Sequence, residues 1–275
     1  MAERSSSAAT AADPGRSAAP GGSGAPFLLQ EQDGRTRWIT INRPDKHNAF
    51  APGLLAELDA ALDDAAADPA TAAVVLTGAG SKAFVAGNDV AALAAMDSMA
   101  AYRDMVAGHR LMQRLHEFAK PTLAMVNGYA LGGGFELALA CDFIVASTTA
   151  TFGFPEIKLN TLPGWGGTQL AVKKMGLARA KEMVLTGRHY RVEECRHFGF
   201  IARVAEPETL RAETLALAES VTRHHPFAVE MAKRAVNRAS DLPLGAGLEF
   251  EAATYALNFG TPHAAAGFRH FLEKR

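Results

Sequence analysis

The order of apolar runs constrains this chain most. Residues 73–77 (AVVLT), 122–126 (TLAMV) and 142–146 (DFIVA) are short, continuously apolar and bounded by polar or turn residues, as buried strands are. Helical patterns lie among them. Leu54, Leu55, Leu58 and Leu62 repeat at helical spacing over 52–67, and Tyr102, Val106, Leu111, Leu115 and Phe118 do so over 98–118. Another helix starts over 135–141. Ahead of these, 27–32 and 36–42 flank Asp33-Gly34, a strong hairpin signal. After Gly164 the pattern turns helical over 165–175, 177–186, 193–198, 207–224, 226–239, 243–258 and 262–273, with one strand at 200–204. Strands and helices in alternation, then helices alone, predict an α/β core over 27–205 and a helical module over 206–275. The irregular return of short strands hints at a repeated ββα unit.

Composition sets limits on function. A chain of 275 residues, 48% hydrophobic, buries a sizeable core. Formal net charge is −1, so no global field favours nucleic acid, and no nucleic-acid partner is expected. No apolar run reaches the ~18–20 residues of a membrane span, and no membrane partner is expected. Cys141 and Cys195 follow no metal-ligand spacing and are expected as buried free thiols in a reducing compartment. No metal site is expected. Residues 1–26 are mostly Ala, Ser, Gly and Pro and lack a hydrophobic signal core; they read as a disordered tail. The expected location is the cytoplasm, or an organellar matrix if the source is eukaryotic.

Two glutamates stand in glycine-marked turns with apolar neighbours: Glu136 in NGYALGGGFE (127–136) and Glu156 in FGFPE (152–156), the latter followed by LPGWGGT (162–168). Gly132, Gly133 and Gly134 sit between a strand and a helix, where glycine lets a ligand approach the backbone and free N–H groups favour developing negative charge. A tight strand-to-helix crossing without a ligand explains the glycines alone equally well. The run is not a phosphate loop, because it lacks the Gly-Lys-Ser/Thr ending. Asn88, in the turn AGND (86–89), offers a second N–H, although a helix N-cap explains that turn too. Two carboxyls beside exposed N–H groups suit addition or loss of water next to an activated acyl group.

With these residues in view, the chain resembles the crotonase superfamily, and most closely the enoyl-CoA hydratases, from about residue 27 to 275. The resemblance rests on INRPDKHNA (41–49), KAFVAGNDV (82–90), KPTLAMVNGYALGGGFELALACD (120–142), FGFPEIKLNTLPGWGGTQ (152–169) and MVLTGRHY (183–190). It implies the crotonase fold, α/β with repeated ββα units in a superhelix and a C-terminal helical module that packs in trimers, often paired into hexamers. It implies hydration of 2-enoyl-CoA thioesters by Glu136, as base for the water, and Glu156, as proton donor to the α-carbon, 156 − 136 = 20 positions apart. It assigns the oxyanion hole to the N–H groups of Asn88 and Gly133, and water positioning to Gly164. Substrate and coenzyme A contacts fall to Lys46, His47, Ala49, Ala86, Gly87, Asn88, Val90, Gly132 and Trp165. No resident cofactor is implied, since coenzyme A is part of the substrate.

Some residues depart from the family pattern. Asn88 stands where hydratases often carry alanine, and AGND is closer to some enoyl-CoA isomerases, so movement of a double bond is the alternative reaction. A relative that binds RNA is a remoter one, needing a basic face such as Arg103, His109, Arg110 and Arg114. Trp165 stands where a small residue is frequent; it either caps the acyl pocket or packs in the core. Lys173, Lys174, Arg179 and Lys181 form a basic cluster, read as a solvated helix face or a contact for coenzyme A phosphates.

Overall fold

The computed structural model describes residues 26–273. The tail expected over 1–26 therefore lies, up to residue 25, outside the described residues. The main sheet has six strands: β1 (Leu28–Asp33), β2 (Thr36–Ile41), β3 (Ala73–Gly78), β5 (Thr122–Val126), β7 (Phe143–Ser147) and β10 (Arg203–Ala205), in the order β1-β2-β3-β5-β7-β10. Only the first pair is antiparallel, joined through Gly34 at φ 56°. The others run parallel, which explains why AVVLT is buried throughout: parallel sheets are covered on both faces.

A second sheet lies alongside: β4 (Ala83–Val85), β6 (Tyr129–Leu131), β8 (Thr151–Gly153) and β9 (Tyr190–Arg191), in the order β4-β6-β8-β9. Most of it is not anticipated from sequence. Runs of two or three residues carry no measurable alternation, and their pairing partners lie far along the chain. The strand expected over 200–204 is corrected to 203–205.

Ten α-helices are described: α1 (Leu54–Ala67), α2 (Val90–Ala94), α3 (Ser98–Glu117), α4 (Gly133–Ala140), α5 (Gly167–Thr186), α6 (Val192–Cys195), α7 (Leu210–Thr222), α8 (Pro226–Ala239), α9 (Leu244–Phe259) and α10 (Pro262–Glu273). The two helices expected on either side of Gly176 join as α5, with a kink at that glycine. Helix α1 buries Leu54, Leu58 and Leu62, while α4 is buried at every position. A helix buried all round sits in the core, so its one charged residue, Glu136, is enclosed as well.

Helix α7 returns to the main sheet, where Leu215 and Ala218 pack with Trp38, Val75 and Leu123. Helix α8 is tied to the core by Lys233, whose Nζ donates to Asp142 Oδ2 at 2.7 Å with both side chains largely buried. Lys174 of the expected basic cluster is corrected by the structure. It is largely buried and donates to the Cys141 and Asp142 carbonyls, while Lys173 pairs with Asp241 and Arg179 with Glu182. Arg114, on the face considered for RNA, is held by Asp59 and Asp63 of α1. Both cysteines are free and buried. Among the described residues no helix is long and apolar enough to cross a membrane.

Candidate active site

Three strands of the small sheet end side by side. β6 pairs in parallel with both β4 and β8, with Ala83 and Thr151 both opposite Tyr129. The segments leaving their carboxyl ends are therefore neighbours: Ala86-Gly87-Asn88-Asp89 after β4, Gly132-Gly133 after β6, and Phe154-Pro155-Glu156 after β8. Ligands of parallel α/β sheets commonly bind at such strand ends. A bond from Gly132 N–H to the Gly153 carbonyl, 2.9 Å, fastens the second turn to the third.

Gly132 has φ 51°, and a Cβ there would stand 2.7 Å from Glu156 Oε1. Only glycine serves at this crossing, since it must bring the chain into α4 and leave room for a carboxyl. Glu136 follows in the first turn of α4 and is 2% exposed. Its Oε1 accepts the N–H groups of Trp165, 2.8 Å, and Gly167, 2.7 Å. Burial pushes its carboxyl up to about 7; the two N–H bonds oppose the rise and the neighbouring Glu156 charge adds to it.

Glu156 lies in a short 3-10 turn, Pro155–Leu159, that ends at Asn160 in the left-handed region, a conformation asparagine tolerates. Burial raises this carboxyl, too, to about 7. Its Oε2 is buried with no hydrogen-bond partner. Lys158, the surface partner a loop acid would take, forms no ion pair with it among the described residues. N–H donors favour the ionised form of a carboxyl; Glu136 has two, from Trp165 and Gly167, and Glu156 has one, from its own backbone.

Among the described residues the backbone N–H groups of Asn88 and Gly133 have no acceptor. Gly133 is the first residue of α4, where an N–H has no partner within the helix. The chain around Asn88 is fixed by a short bridge: Phe50 N–H donates to the Gly87 carbonyl, 2.9 Å, and Asp89 N–H to the Phe50 carbonyl, 3.0 Å. Asn88 Oδ1 lies close against Gly133 and is buried without a partner. Asp89 caps α2 through Oδ1, as its N-cap reading requires.

The loop with Lys46, His47 and Ala49 reaches the same place. Ala86 N–H donates to the His47 carbonyl at 3.1 Å. Lys46, His47 and Val90 are exposed, while Gly87 is buried. Asn48, not singled out from sequence, holds this loop. It is 0% exposed, accepts from Arg43 N–H and donates to the Ala79 and Ala83 carbonyls. Gly167 is not singled out from sequence either; the last glycine of GWGG is its only signal.

Trp165 is 2% exposed. Its ring meets Phe50 edge-on, with centroids 4.7 Å apart, and its Nε1 donates to Asp104 Oδ2 at 3.2 Å. Gly164, one residue earlier, packs against the Met105 sulfur. A separate cavity of about 340 Å³, bounded by Arg35, Lys120 and His224 among others, includes none of these residues.

The sequence and the fold are matched by known proteins. The family model described as enoyl-CoA hydratase/isomerase matches residues 32–275. A probable enoyl-CoA hydratase of Rhizobium meliloti is 42% identical over 249 residues, covering 90% of this chain and 95% of the relative. A short-chain-enoyl-CoA hydratase of Clostridium acetobutylicum is 35% identical over 248 residues, with coverage of 90% and 95%. The crystal structure of an enoyl-CoA hydratase from Bacillus anthracis superposes with a TM-score of 0.86 at 33% identity, covering 91% of this chain and 97% of that one. On its sequence and its fold, this chain belongs to the enoyl-CoA hydratase/isomerase family.

Proposed function

We propose that the protein adds water across the 2,3 double bond of 2-enoyl-CoA thioesters, giving 3-hydroxyacyl-CoA, with Glu136 and Glu156 as the acid–base pair. One observation carries the reading. Two carboxyls, Glu136 buried and Glu156 half-buried, each raised to about 7, stand at the same strand ends as the acceptor-free N–H groups of Asn88 and Gly133. The names of the Rhizobium and Clostridium relatives point the same way.

The thioester oxygen accepts the two N–H groups, which draws electrons from the double bond and makes the β-carbon electrophilic. Glu136 takes a proton from water as the water oxygen bonds to that carbon. The electrons move to the thioester oxygen as an enolate, and Glu156 then delivers its proton to the α-carbon. Gly164 helps hold the water through its backbone, next to the Trp165 N–H that fixes Glu136. Lys46, His47, Ala49, Ala86, Gly87 and Val90 hold the coenzyme A part, which enters and leaves with the substrate. The two buried free thiols suit a reducing compartment.

The test is hydration of crotonyl-CoA, followed by loss of the conjugated thioester absorbance from pH 5 to 9. At low pH both carboxyls are protonated and the base is lost; at high pH both are ionised and the acid is lost. The expected kcat/KM profile is a bell centred near neutral pH, its two apparent values split by repulsion within the pair. Activity that stays flat up to pH 9 would sink the shared-proton reading.

Assembly belongs to the proposal. Helices α9 and α10 leave Leu244, Leu248, Leu257 and Leu272 exposed, Leu244 at 78%. That much open apolar surface suits contact with further copies. A trimer or a dimer of trimers is expected in sedimentation equilibrium, and a monomer at micromolar concentration would refute it.

A further inference from the structure

We propose that Trp165, backed by Phe50 and Met105, walls off the acyl side of the site, so that the chain accepts short 2-enoyl-CoA thioesters and rejects long ones. This rests on the hydratase reading above and specifies its substrate.

The position of the acyl chain follows from the chemistry. The thioester oxygen lies at the N–H groups of Asn88 and Gly133, and the β-carbon lies at the two carboxyls. The coenzyme A end leads out past the exposed Lys46 and His47. The rest of the acyl chain must leave the β-carbon in the opposite sense, past Gly133 and inward. The indole of Trp165 stands there. Its Cε3 is 3.3 Å from the point a Cβ on Gly133 would occupy, which is packing distance from the proposed oxyanion donor.

The indole is also fixed in place. Phe50 meets it edge-on, and Asp104 of α3 accepts its N–H. On the α3 side it lies against Gly108, where a Cβ would overlap the five-membered ring. Glycine is unfavourable inside a helix, and here it makes room for the indole. The backbone N–H of Trp165 is bonded to Glu136, which ties the wall directly to the proposed base. Swinging the ring aside would break the bond to Asp104 and open a void beneath α3, which close-packed interiors resist. Met105, from the same helix, fills the space over Gly164 and continues the wall.

Removing or adding methylenes in a tight apolar pocket changes kcat/KM by about 10–200-fold per group where the wall cannot give. The experiment compares kcat/KM for 2-enoyl-CoA thioesters of four, six, eight and ten carbons in the wild type, Trp165→Leu and Met105→Ala. The expected wild-type value falls by at least ~10²-fold from four to ten carbons, and Trp165→Leu raises the ten-carbon value relative to the four-carbon value by ~10-fold or more. Calorimetric binding of butyryl-CoA and decanoyl-CoA to the wild type requires neither turnover nor a folded variant. Decanoyl-CoA is expected to bind at least ~10-fold more weakly. A flat wild-type profile, or equal binding of the two saturated thioesters, overturns the wall. If butyryl-CoA binds selectively but no enoyl-CoA is hydrated, the hydratase reading fails while the wall stands.

Discussion

Replacing Glu136 with glutamine is expected to lower kcat for crotonyl-CoA hydration by about 10²–10⁴-fold, the usual range for loss of a positioned base, with KM little changed. Glutamine keeps an oxygen for the Trp165 and Gly167 N–H groups, so the turn should survive. The same variant should be more stable than the wild type in alkali. Glu136 is raised in the folded protein from 4.5 to about 7. A proton is therefore held more tightly folded than unfolded, and stability falls as pH rises from 4.5 through 7. The loss is on the order of 3 kcal/mol once the group is ionised. Glu136→Gln escapes it, so its melting temperature should exceed the wild type's at pH 8.5 and approach it at pH 5. Equal melting temperatures at both pH values would show that the buried charge carries no penalty. Retained conversion of a 3-enoyl-CoA by the variant, with hydration lost, would favour the isomerase reaction, with Glu156 as the remaining acid–base group.

Replacing Glu156 with glutamine is expected to cost a similar ~10²–10⁴-fold in hydration, but at a different step. In the proposed mechanism Glu156 delivers a proton to the α-carbon, and in reverse removes it. Butyryl-CoA has no double bond and cannot be hydrated, yet its α-proton can still exchange. In D2O the wild type and Glu136→Gln should exchange that proton, read by proton NMR, while Glu156→Gln should do so at least ~10²-fold more slowly. Exchange at the wild-type rate in Glu156→Gln would reverse the two assignments. The assignment has a structural basis in the unequal surroundings of the pair: two N–H donors on Glu136, and an unpartnered buried oxygen on Glu156.

The sequence by itself determined the elements that repeat locally. The leucines at 54, 58 and 62 mark α1, Asp33-Gly34 marks the hairpin, and apolar runs mark β3, β5 and β7, because side-chain spacing follows helix and strand geometry directly. It also singled out Glu136 and Glu156, since a lone acid among apolar residues and glycines is conspicuous in one dimension. Tertiary structure alone decided what those acids became. Strands β6 and β8, three residues each, exist only through pairing across the sheet, and that pairing sets Glu156 against Gly132. Burial, which raises both carboxyls to about 7, is a property of the surroundings and has no local pattern. Lys174 reads as a surface cation in a basic run, yet the fold turns it inward onto two carbonyls. Gly108 and Trp165 are 57 positions apart (165 − 108), and nothing in residue order pairs them until α3 is laid across the indole. Interactions within one turn of the chain can be read from residue order, whereas packing between distant segments depends on a register that only the folded sheet supplies.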